Sequence, residues 1–596
     1  MKVLTYRLYI IALFILPILT ACAQVKQKTE QAPSASLILL HNEGQTIPFA
    51  DLDHQQFFYL NLCKDDHLSL LPQLAKYDSV ASITLEDAHN YTEKKGNTFI
   101  VSIDQDNINR KTLDKLSILT KNNSLVLAVF ADFSYLNQFD KTSLPTIWTN
   151  DTRPESASQV ASALFGGTTI KDKLPIDINE HYFAGMGFST EKTRLGYGKP
   201  EAEGIDGTLM TDSIDQIVQE GISARAFPGA VVLVARNGNV IFEKAYGYHT
   251  YDKQVATKVD DLFDMASVTK IAATTLEVMH LTEEGKINLD ETMGTYLPDI
   301  RKNYQDKANV KLRDVMLHQA GFIPFIPFYK NLQPKDTSRD SSSAYPTKLA
   351  DGIYIRKGYF QDVMWKQMME SPLKTQGEYV YSDISMYVMK AVIEQVTHQA
   401  LNELVKKDFY KPLGMYHSTF QPRLFFPKGK IVPTENDQEF RKTLLQGYVH
   451  DQGAAMVDGV SGHAGLFSTA SDLAKYGQLL LNKGTYGGQR YLKPETIDAF
   501  TSRYSAVSRR GLGFDRWDPD TTKHYPSQFA SPATFGHTGY TGTCIWIDPV
   551  NQLTYIFLSN RVHPEVSTKL LQMNIRSRIE DAIYLAMRGK TSGQAN

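Results

Sequence analysis

The chain has few cysteines and none of the short motifs that usually bind a metal. Its 596 residues include three cysteines, Cys22, Cys63 and Cys544, and the last two lie far apart in the sequence, so a disulfide framework is unexpected. No Cys-x-x-Cys and no His-Glu-x-x-His occurs, and the 15 histidines are dispersed. We therefore expect neither a metal nor a cofactor.

The chain also lacks an excess of charge of one sign. Lysine and arginine number 63 against 65 aspartates and glutamates, which gives no reason to expect a nucleic-acid partner. The apolar run at residues 8–19 follows Lys2 and Arg7 and is too short for a comfortable membrane span. It is typical of the hydrophobic region of a signal peptide, and no later run reaches spanning length.

The residues after this run predict a lipid anchor. Leu19-Thr20-Ala21-Cys22 resembles the bacterial lipobox, which implies that residues 1–22 are a lipoprotein signal peptide and that Cys22 is lipidated. The polar residues 23–35 would then be a tether. We expect a cell-envelope lipoprotein, held in the outer membrane and facing the periplasm. The alternative is an ordinary signal peptide cut near Ala23.

A serine followed three residues later by lysine places both side chains on one face of a helix, where the lysine can assist a serine nucleophile. The pattern occurs three times, and these are its positions: Ser189 with Lys192, Ser267 with Lys270, and Ser371 with Lys374. Pro372 follows the third pair and glycines flank the first, so neither begins a convincing helix. Only Ser267 opens an apolar pattern of helical spacing.

Two further motifs follow this serine in order. They are Tyr381-Ser382-Asp383 and His537-Thr538-Gly539. Together with Ser267-Val-Thr-Lys270, Val310–Gly321 and Gly462–Thr469, they make residues 208–590 resemble the serine beta-lactamase and penicillin-binding-protein-like superfamily, in its class C and esterase-like branch. The resemblance implies an α+β domain with an antiparallel sheet flanked by helices and a helical subdomain.

The same resemblance implies a role for each motif residue. Ser267 would form the acyl-enzyme, Lys270 and Tyr381 would share the proton transfers, and the N–H groups of Ser267 and Tyr540 would form the oxyanion hole. From the residues themselves, burial favours a neutral lysine and an ammonium beside a phenol favours phenolate. Either group can thus be brought towards the working pH.

Two positions depart from the beta-lactamase pattern. Asp383 stands where those enzymes have asparagine, and His537 stands where they have lysine. With Thr538 and Gly539, these two residues are the expected substrate-binding set, and an acid and an imidazole suit a beta-lactam poorly. We expect His463 to be structural.

Residues 36–200 alternate continuous apolar runs with crossover-length segments, which predicts an α/β domain with a mainly parallel sheet. Residues 201–207 read as a linker. Leu39–Phe49 and Thr193–Pro200 resemble the C-terminal α/β domain of family 3 glycoside hydrolases of the beta-N-acetylglucosaminidase kind. The catalytic barrel of that family needs about 250 residues, more than the 35 that precede this region. We expect an accessory domain and no glycosidase activity.

Such glucosaminidases are associated with serine amidases of cell-wall turnover, so the resemblance implies a peptidoglycan-derived muropeptide as substrate, cleaved between N-acetylmuramic acid and L-alanine. A D,D-carboxypeptidase, an esterase and a weak beta-lactamase are alternatives, and a non-catalytic peptidoglycan-binding lipoprotein is another. The segment Phe322–Tyr329 could line the substrate cleft or could pack onto the core.

Overall fold

The computed structural model describes residues 36–91, 94–140 and 142–591. The predicted signal peptide, the tether and Cys22 lie outside this part of the chain. Within it, no helix combines the length and the apolar character that crossing a bilayer requires.

The N-terminal region forms one six-stranded sheet. Its strands are β1 (Ile38–Leu40), β2 (Gln56–Leu62), β3 (Val80–Ser82), β4 (Asn97–Asp104), β5 (Ser124–Phe130) and β6 (Thr146–Thr149). The order is β1-β6-β5-β4-β2-β3, and only the edge strand β1 runs antiparallel to its neighbour. Its helices are α1 (Leu71–Leu74), α2 (Leu85–Ala88), α3 (Arg110–Leu119) and α4 (Pro154–Leu164).

Strand β4 is buried along its whole length, as the central strand of a sheet covered on both faces should be. This explains why its sequence is apolar without alternation. The predicted α/β fold with a mainly parallel sheet is confirmed.

The remaining described residues, 150–591, contain seventeen strands, most of them short. They are β7 (Gly196–Tyr197), β8 (Gly229–Arg236), β9 (Asn239–Gly247), β10 (Phe263–Asp264), β11 (Thr337–Ser338), β12 (Thr347–Ala350), β13 (Ile353–Ile355), β14 (Thr419–Phe420), β15 (Glu435–Asp437), β16 (Thr443–Leu445), β17 (Leu466–Ser468), β18 (Thr485–Tyr486), β19 (Gln489–Arg490), β20 (Asp515–Arg516), β21 (Phe535–Thr538), β22 (Cys544–Asp548) and β23 (Leu553–Ser559).

Fifteen α-helices accompany these strands. They are α5 (Gly207–Ser223), α6 (Leu276–Glu283), α7 (Met293–Tyr296), α8 (Pro298–Asn303), α9 (Gln305–Ala308), α10 (Leu312–Met316), α11 (Lys366–Glu370), α12 (Ile384–Thr397), α13 (Leu401–Val405), α14 (Lys411–Leu413), α15 (Gln452–Ala455), α16 (Ala470–Leu481), α17 (Pro494–Thr501), α18 (Lys569–Gln572) and α19 (Ile575–Thr591).

The large sheet has the order β20-β21-β22-β23-β8-β9-β7 and is antiparallel except where β7 joins β9. Side chains of a strand alternate between the two faces of its sheet. In β8, Val232 and Val234 accordingly pack with α5 and α19, whereas Val231 and Leu233 pack with α16 and the helical region. The α+β architecture expected for residues 208–590 is confirmed.

Polar contacts join the two regions. The backbone N–H of Gly487 donates to Thr193 O at 2.8 Å, and Lys192 Nζ donates to Asn239 Oδ1 at 2.6 Å. Strand β7 then follows directly and pairs with the large sheet. The segment expected to be a linker contains a 3₁₀ turn, Pro200–Glu203, and its last residue begins α5. Because β7 precedes the expected linker and pairs with β9, the first strand of the large sheet comes from residues before that linker.

Candidate active site

The turn that carries Ser267 has a strained backbone. Ser267 lies in the 3₁₀ turn Ala266–Val268, and Ala266 has φ +45°, a region that residues other than glycine rarely adopt. The carboxylate of Asp264 accepts the N–H of Ala266 at 2.9 Å and that of His450 at 2.7 Å. These bonds over-determine the turn and fix where the serine side chain points.

The end of strand β21 contacts the same turn. A Cβ atom at Gly539 would lie 2.5 Å from Met265 O and 2.1 Å from Thr543 Oγ1, so only glycine fits there. Thr541 Oγ1 donates to Asp264 O at 2.7 Å and Thr543 Oγ1 to Met265 O at 3.1 Å. Gly539 and the two threonines that follow it therefore pack against the backbone just before the nucleophile and hold it in place.

Ser267, Lys270 and Tyr381 meet in one cluster. Ser267 Oγ lies 2.9 Å from Lys270 Nζ and 2.9 Å from the Tyr381 hydroxyl. Lys270 begins a π-helical turn, Lys270–Thr275, and its side chain is fully buried. Its Nζ also contacts Asp383 Oδ1 at 2.8 Å and His463 O at 3.1 Å. An ammonium has three N–H donors, which these three acceptors match.

The charge state of Lys270 departs from the sequence-based expectation. Burial acts to lower its pKa, but the neighbouring Asp383 carboxylate and Tyr381 outweigh it, so that the pKa of Lys270 is raised above 10.5. Lys270 is therefore a cation in the resting site. Burial does favour neutral lysine, as expected, but the net direction is the opposite because Asp383 lies beside Lys270, which the sequence spacing does not show.

Asp383 lines the cleft and is 26% exposed, yet one of its oxygens is bound to Lys270. Its position is fixed by its backbone N–H, which donates to Pro324 O at 2.9 Å. Ser382 next to it donates from Oγ to Ile323 O at 2.6 Å. Asp383 therefore acts first on Lys270, whose positive charge it stabilises, and only its other oxygen is left to contact a substrate.

His537 is a residue of strand β21 and is only 3% exposed. Arg510 Nη1 donates to its Nε2 at 3.1 Å, and its Nδ1 donates to Thr538 O at 2.7 Å. Burial, then Arg510 and Lys270, lower the pKa of His537 to about 3, so the ring is neutral. We expected His537 to contact the substrate directly, and this expectation is wrong, because the ring is buried and both of its nitrogens are hydrogen-bonded. His537 instead holds Arg510 and the carbonyl of Thr538 in place. Thr538 is half-buried.

The two expected oxyanion-hole residues, Ser267 and Tyr540, both line the cleft. Tyr540 is 51% exposed at the cleft, and its carbonyl accepts a hydrogen bond from Arg561 Nε at 2.6 Å. Among the described residues, no acceptor bonds the backbone N–H of Ser267 or of Tyr540. Both donors are thus available to an oxyanion.

The cleft beside Ser267 has a volume of about 740 Å³. One wall comes from the segment Phe322–Tyr329, in which Phe325 is 64% exposed while Phe322 and Phe328 are buried. This segment therefore does both of the things expected of it: part lines the cleft and part packs into the core. The cleft is also lined by carboxylates, among them Glu435, Glu439, Asp451 and Glu565.

His463 has the structural place expected for it. Its Nδ1 lies 2.9 Å from Ser461 Oγ and its Nε2 lies 2.9 Å from Asp451 Oδ1. Its ring packs on the buried Tyr387 with 4.5 Å between centroids. The imidazole has no free nitrogen for proton transfer at Ser267.

The other two serine–lysine pairs do not form sites. Ser189 is exposed, and Lys192 donates to Asn239 Oδ1 at 2.6 Å. Ser371 is buried with its Oγ donating to Met368 O at 2.7 Å, while Lys374 is exposed.

Sequence reasoning missed Asp264, Arg510 and His318. His318 Nδ1 accepts the N–H of Ser382 at 3.3 Å, and its ring packs on Tyr381 with 4.7 Å between centroids. Asp264 is two residues before Ala266 in an apolar run, where a buried acid is a usable signal. Arg510 belongs to no recognisable motif and is found only through the fold.

Replacing Ser267 by alanine should abolish labelling by a fluorophosphonate probe and leave the melting temperature unchanged, because the hydroxyl is half-buried and the turn is held by other groups. Ser189→Ala and Ser371→Ala are matched controls and should label as the wild type does. Labelling is read by peptide mapping. Undiminished labelling of Ser267→Ala would place the nucleophile elsewhere.

Replacing Asp383 by asparagine should lower the pKa of Lys270, because burial then dominates. If Lys270 acts as a cation, the alkaline limb of the kcat/KM profile should move to lower pH by at least about one unit. Asp451→Asn is the control. It removes a cleft carboxylate that is bound to His463 and not to Lys270, so the alkaline limb should stay at the pH of the wild type. A shift of the acid limb instead, with more activity at neutral pH, would make Lys270 the free base.

Comparison with known proteins agrees with this geometry. The family model described as "Beta-lactamase" matches residues 214–578. A protein of Salmonella agona named "Putative D-alanyl-D-alanine carboxypeptidase" is 31% identical over 421 residues, covering 66% of this chain and 92% of its own, and a protein of the same name from Salmonella gallinarum is 30% identical with the same coverage.

Among solved structures, "EstCE1, a hydrolase with promiscuous acyltransferase activity" is 20% identical with a TM-score of 0.49, covering 64% of this chain and all of its own. A class C beta-lactamase from Rhodobacter sphaeroides is 17% identical with a TM-score of 0.45, covering 63% of this chain and 99% of its own. Since the family model spans more than half of the sequence, the chain belongs to the beta-lactamase family of serine hydrolases.

Proposed function

We propose that this chain hydrolyses the amide between N-acetylmuramic acid and L-alanine in peptidoglycan fragments, through an acyl-enzyme at Ser267. The observation that carries the acyl-enzyme is the contact of Ser267 Oγ with both Lys270 and Tyr381 at 2.9 Å. A serine needs a partner that takes its proton, and because Lys270 is a cation, the Tyr381 hydroxyl is the group of this cluster that can relay it.

The charge of Lys270 assigns different roles to the two partners. Since Lys270 is held as a cation by Asp383, it stabilises the negative charge that develops on Ser267 Oγ and at the attacked carbonyl. Tyr381 relays a proton: its hydroxyl oxygen accepts the proton of Ser267 while its own proton passes to the leaving amine nitrogen of L-alanine, and the C–N bond breaks. Water then attacks the ester carbonyl, a proton of that water passes through Tyr381 to Ser267 Oγ as the C–Oγ bond breaks, and N-acetylmuramic acid leaves.

The composition of the cleft supports a sugar-bearing acyl group. Phe325 and Tyr540 present exposed aromatic faces, on which a sugar ring can pack. Glu435, Glu439 and Glu565 offer oxygens that accept hydrogen bonds from sugar hydroxyls. An acidic lining of this kind attracts hydroxyl groups and repels a carboxylate.

The cations near Ser267 are already engaged. Lys270 is bound to Asp383, and Arg510, whose side chain is 6% exposed, lies 3.1 Å from His537 and 3.6 Å from Asp515. A substrate carboxylate, as in a beta-lactam, would have to compete for them. This supports an acyl group without a carboxylate next to the scissile bond.

A D,D-carboxypeptidase is the second candidate. The names of the Salmonella relatives favour it, and Arg510, which contacts His537 of the third motif, could take the carboxylate of a terminal D-alanine. In that case the carboxylate would replace His537 as a partner of Arg510. The two candidates differ in which bond is cut and are separated by their products.

We also propose that residues 36–200 are a scaffold related to the C-terminal domain of family 3 glycosidases, and that Cys22 anchors the protein in the envelope. The contacts of Lys192 with Asn239 and of Thr193 with Gly487 support the first proposal, because they join this region to the catalytic domain through hydrogen bonds. On this reading the chain acts as one unit on muropeptides near the membrane.

Incubation with purified N-acetylmuramoyl-pentapeptide should release the intact pentapeptide and free N-acetylmuramic acid, detected by mass spectrometry. Ser267→Ala is the matched control and should release nothing. Release of D-alanine with the muramoyl amide intact would refute the amidase and establish the carboxypeptidase. Hydrolysis of short aryl esters alone would favour an esterase.

Phe325→Ala should raise KM for the muramoyl-peptide by about three- to tenfold, the weight of one aromatic contact. The rate of fluorophosphonate labelling should not change, because that small probe does not reach this wall. Phe183→Ala, which removes a comparably exposed ring in the N-terminal region, is the control and should alter neither quantity. An unchanged KM in Phe325→Ala would remove this wall from substrate binding.

Cys22→Ser should abolish incorporation of an alkyne-labelled fatty acid and move the protein from the membrane fraction to the soluble fraction of lysed cells. Cys63→Ser should do neither, because Cys63 lies in the folded N-terminal region and is half-buried. Persistent labelling of Cys22→Ser would mean that the lipobox assignment is wrong.

A further inference from the structure

A second cluster of ionisable side chains lies on the nucleophile helix, away from the cleft. Glu277 and His280 stand three residues apart in α6 and so share a face. Asp408, from the π-helical turn Lys406–Tyr410, faces them. His280 Nδ1 lies 4.0 Å from Glu277 Oε2 and 3.8 Å from Asp408 Oδ2, and one ligand atom from each residue falls within 4.8 Å of the others.

The atoms that face this cluster centre have no other partner. The side chain of Glu277 is 0% exposed, and neither of its oxygens has a hydrogen-bond partner among the described residues. The buried Nδ1 of His280 has none either in this part of the chain. Separations of 3.8–4.0 Å are too long for hydrogen bonds. Bonds of about 2.0–2.2 Å to one central ion would bring such atoms into contact with it after small shifts.

The outer ends of the same side chains are already held. Glu284 Oε2 pairs with Lys286 at 2.8 Å, which leaves Oε1 to face His280 Nε2 at 3.8 Å. Asp408 Oδ1 pairs with Lys407 at 3.3 Å, which leaves Oδ2 facing the cluster centre. A metal-binding histidine usually directs its second nitrogen at a carboxylate, and Glu284 has that place here.

Two aromatic residues fix the elements on which the cluster is built. The Tyr410 hydroxyl donates to Ala272 O at 2.9 Å and so joins the Lys406–Tyr410 turn to the nucleophile helix. The Phe409 ring packs edge-on against His280 with 5.5 Å between centroids. The donor atoms are therefore held in place by the fold.

We propose that Glu277, His280 and Asp408 bind one divalent transition-metal ion, with Zn²⁺ as the preferred ion and Glu284 as the second partner of His280. One imidazole nitrogen and two carboxylate oxygens are ligands that Zn²⁺ accepts, whereas Ca²⁺ and Mg²⁺ prefer oxygen alone. The ion would tie the helix that carries Lys270 to the Lys406–Tyr410 turn. It serves the stability of the nucleophile helix and takes no part in the proposed hydrolysis.

The search for Cys-x-x-Cys and His-Glu-x-x-His motifs, on which the expectation of no metal rested, could not find this site. Two ligands come from one Glu-x-x-His spacing, which is common on helix surfaces, and the third comes from a distant segment.

The test measures metal binding and thermal unfolding of the full chain after removal of metal with a chelator. Equilibrium dialysis against ZnCl₂ should give one tightly bound Zn²⁺ per chain and a higher melting temperature. Glu277→Gln and Asp408→Asn should each weaken Zn²⁺ binding by at least about 10–100-fold. Asp408 is partly exposed, so its variant keeps the test valid if Glu277→Gln does not fold.

Asp451→Asn is the matched control, because Asp383, Asp451 and His463 form the other group of acids and imidazole found in the described chain. It should bind Zn²⁺ as tightly as the wild type, since Lys270 already supplies the cation at that place. Equal Zn²⁺ affinity in the wild type and Asp408→Asn, or loss of binding in Asp451→Asn, would overturn the proposal. So would a wild-type chain that binds no Zn²⁺.

Discussion

The contact between the Lys270 ammonium and the Asp383 carboxylate is the interaction on which the active site depends. It places a fixed positive charge 2.9 Å from the hydroxyl of Ser267 in a buried position. A lone buried lysine would tend to lose its proton, so the acid determines what the lysine can do. With Lys270 charged, the proton of Ser267 has to move through Tyr381.

The surrounding fold serves to keep this contact in place. The strained backbone at Ala266 is held by the carboxylate of Asp264 and by the threonines that follow Gly539. The last two bonds join residues 264–265 to residues 541–543, which are far apart in the sequence, so the nucleophile is positioned only when both parts of the catalytic domain are folded. The proposed ion at Glu277 would extend the same support to the far end of the nucleophile helix.

Much of this could be predicted from the sequence, and the failures have a common cause. Local patterns were sufficient for the parallel sheet, whose strands are apolar without alternation. They also indicated Ser267 among three similar motifs, and the fold brings its hydroxyl to 2.9 Å from Lys270 and from Tyr381. The charge of Lys270 and the burial of His537 could not be predicted, because each depends on a tertiary neighbour, Asp383 or Arg510. Spacing along the chain says which residue types are present, and only packing decides which of them touch.

The charge of Lys270 can be measured directly. In protein labelled with ¹³C at the lysine Cε position, the Lys270 signal is assigned by its absence in Lys270→Met and then followed by NMR through a pH titration. A Lys270 held charged by Asp383 should give the signal of a charged lysine up to at least pH 9. A Lys270 that is already neutral between pH 7 and 8 would contradict it and restore the lysine as the base.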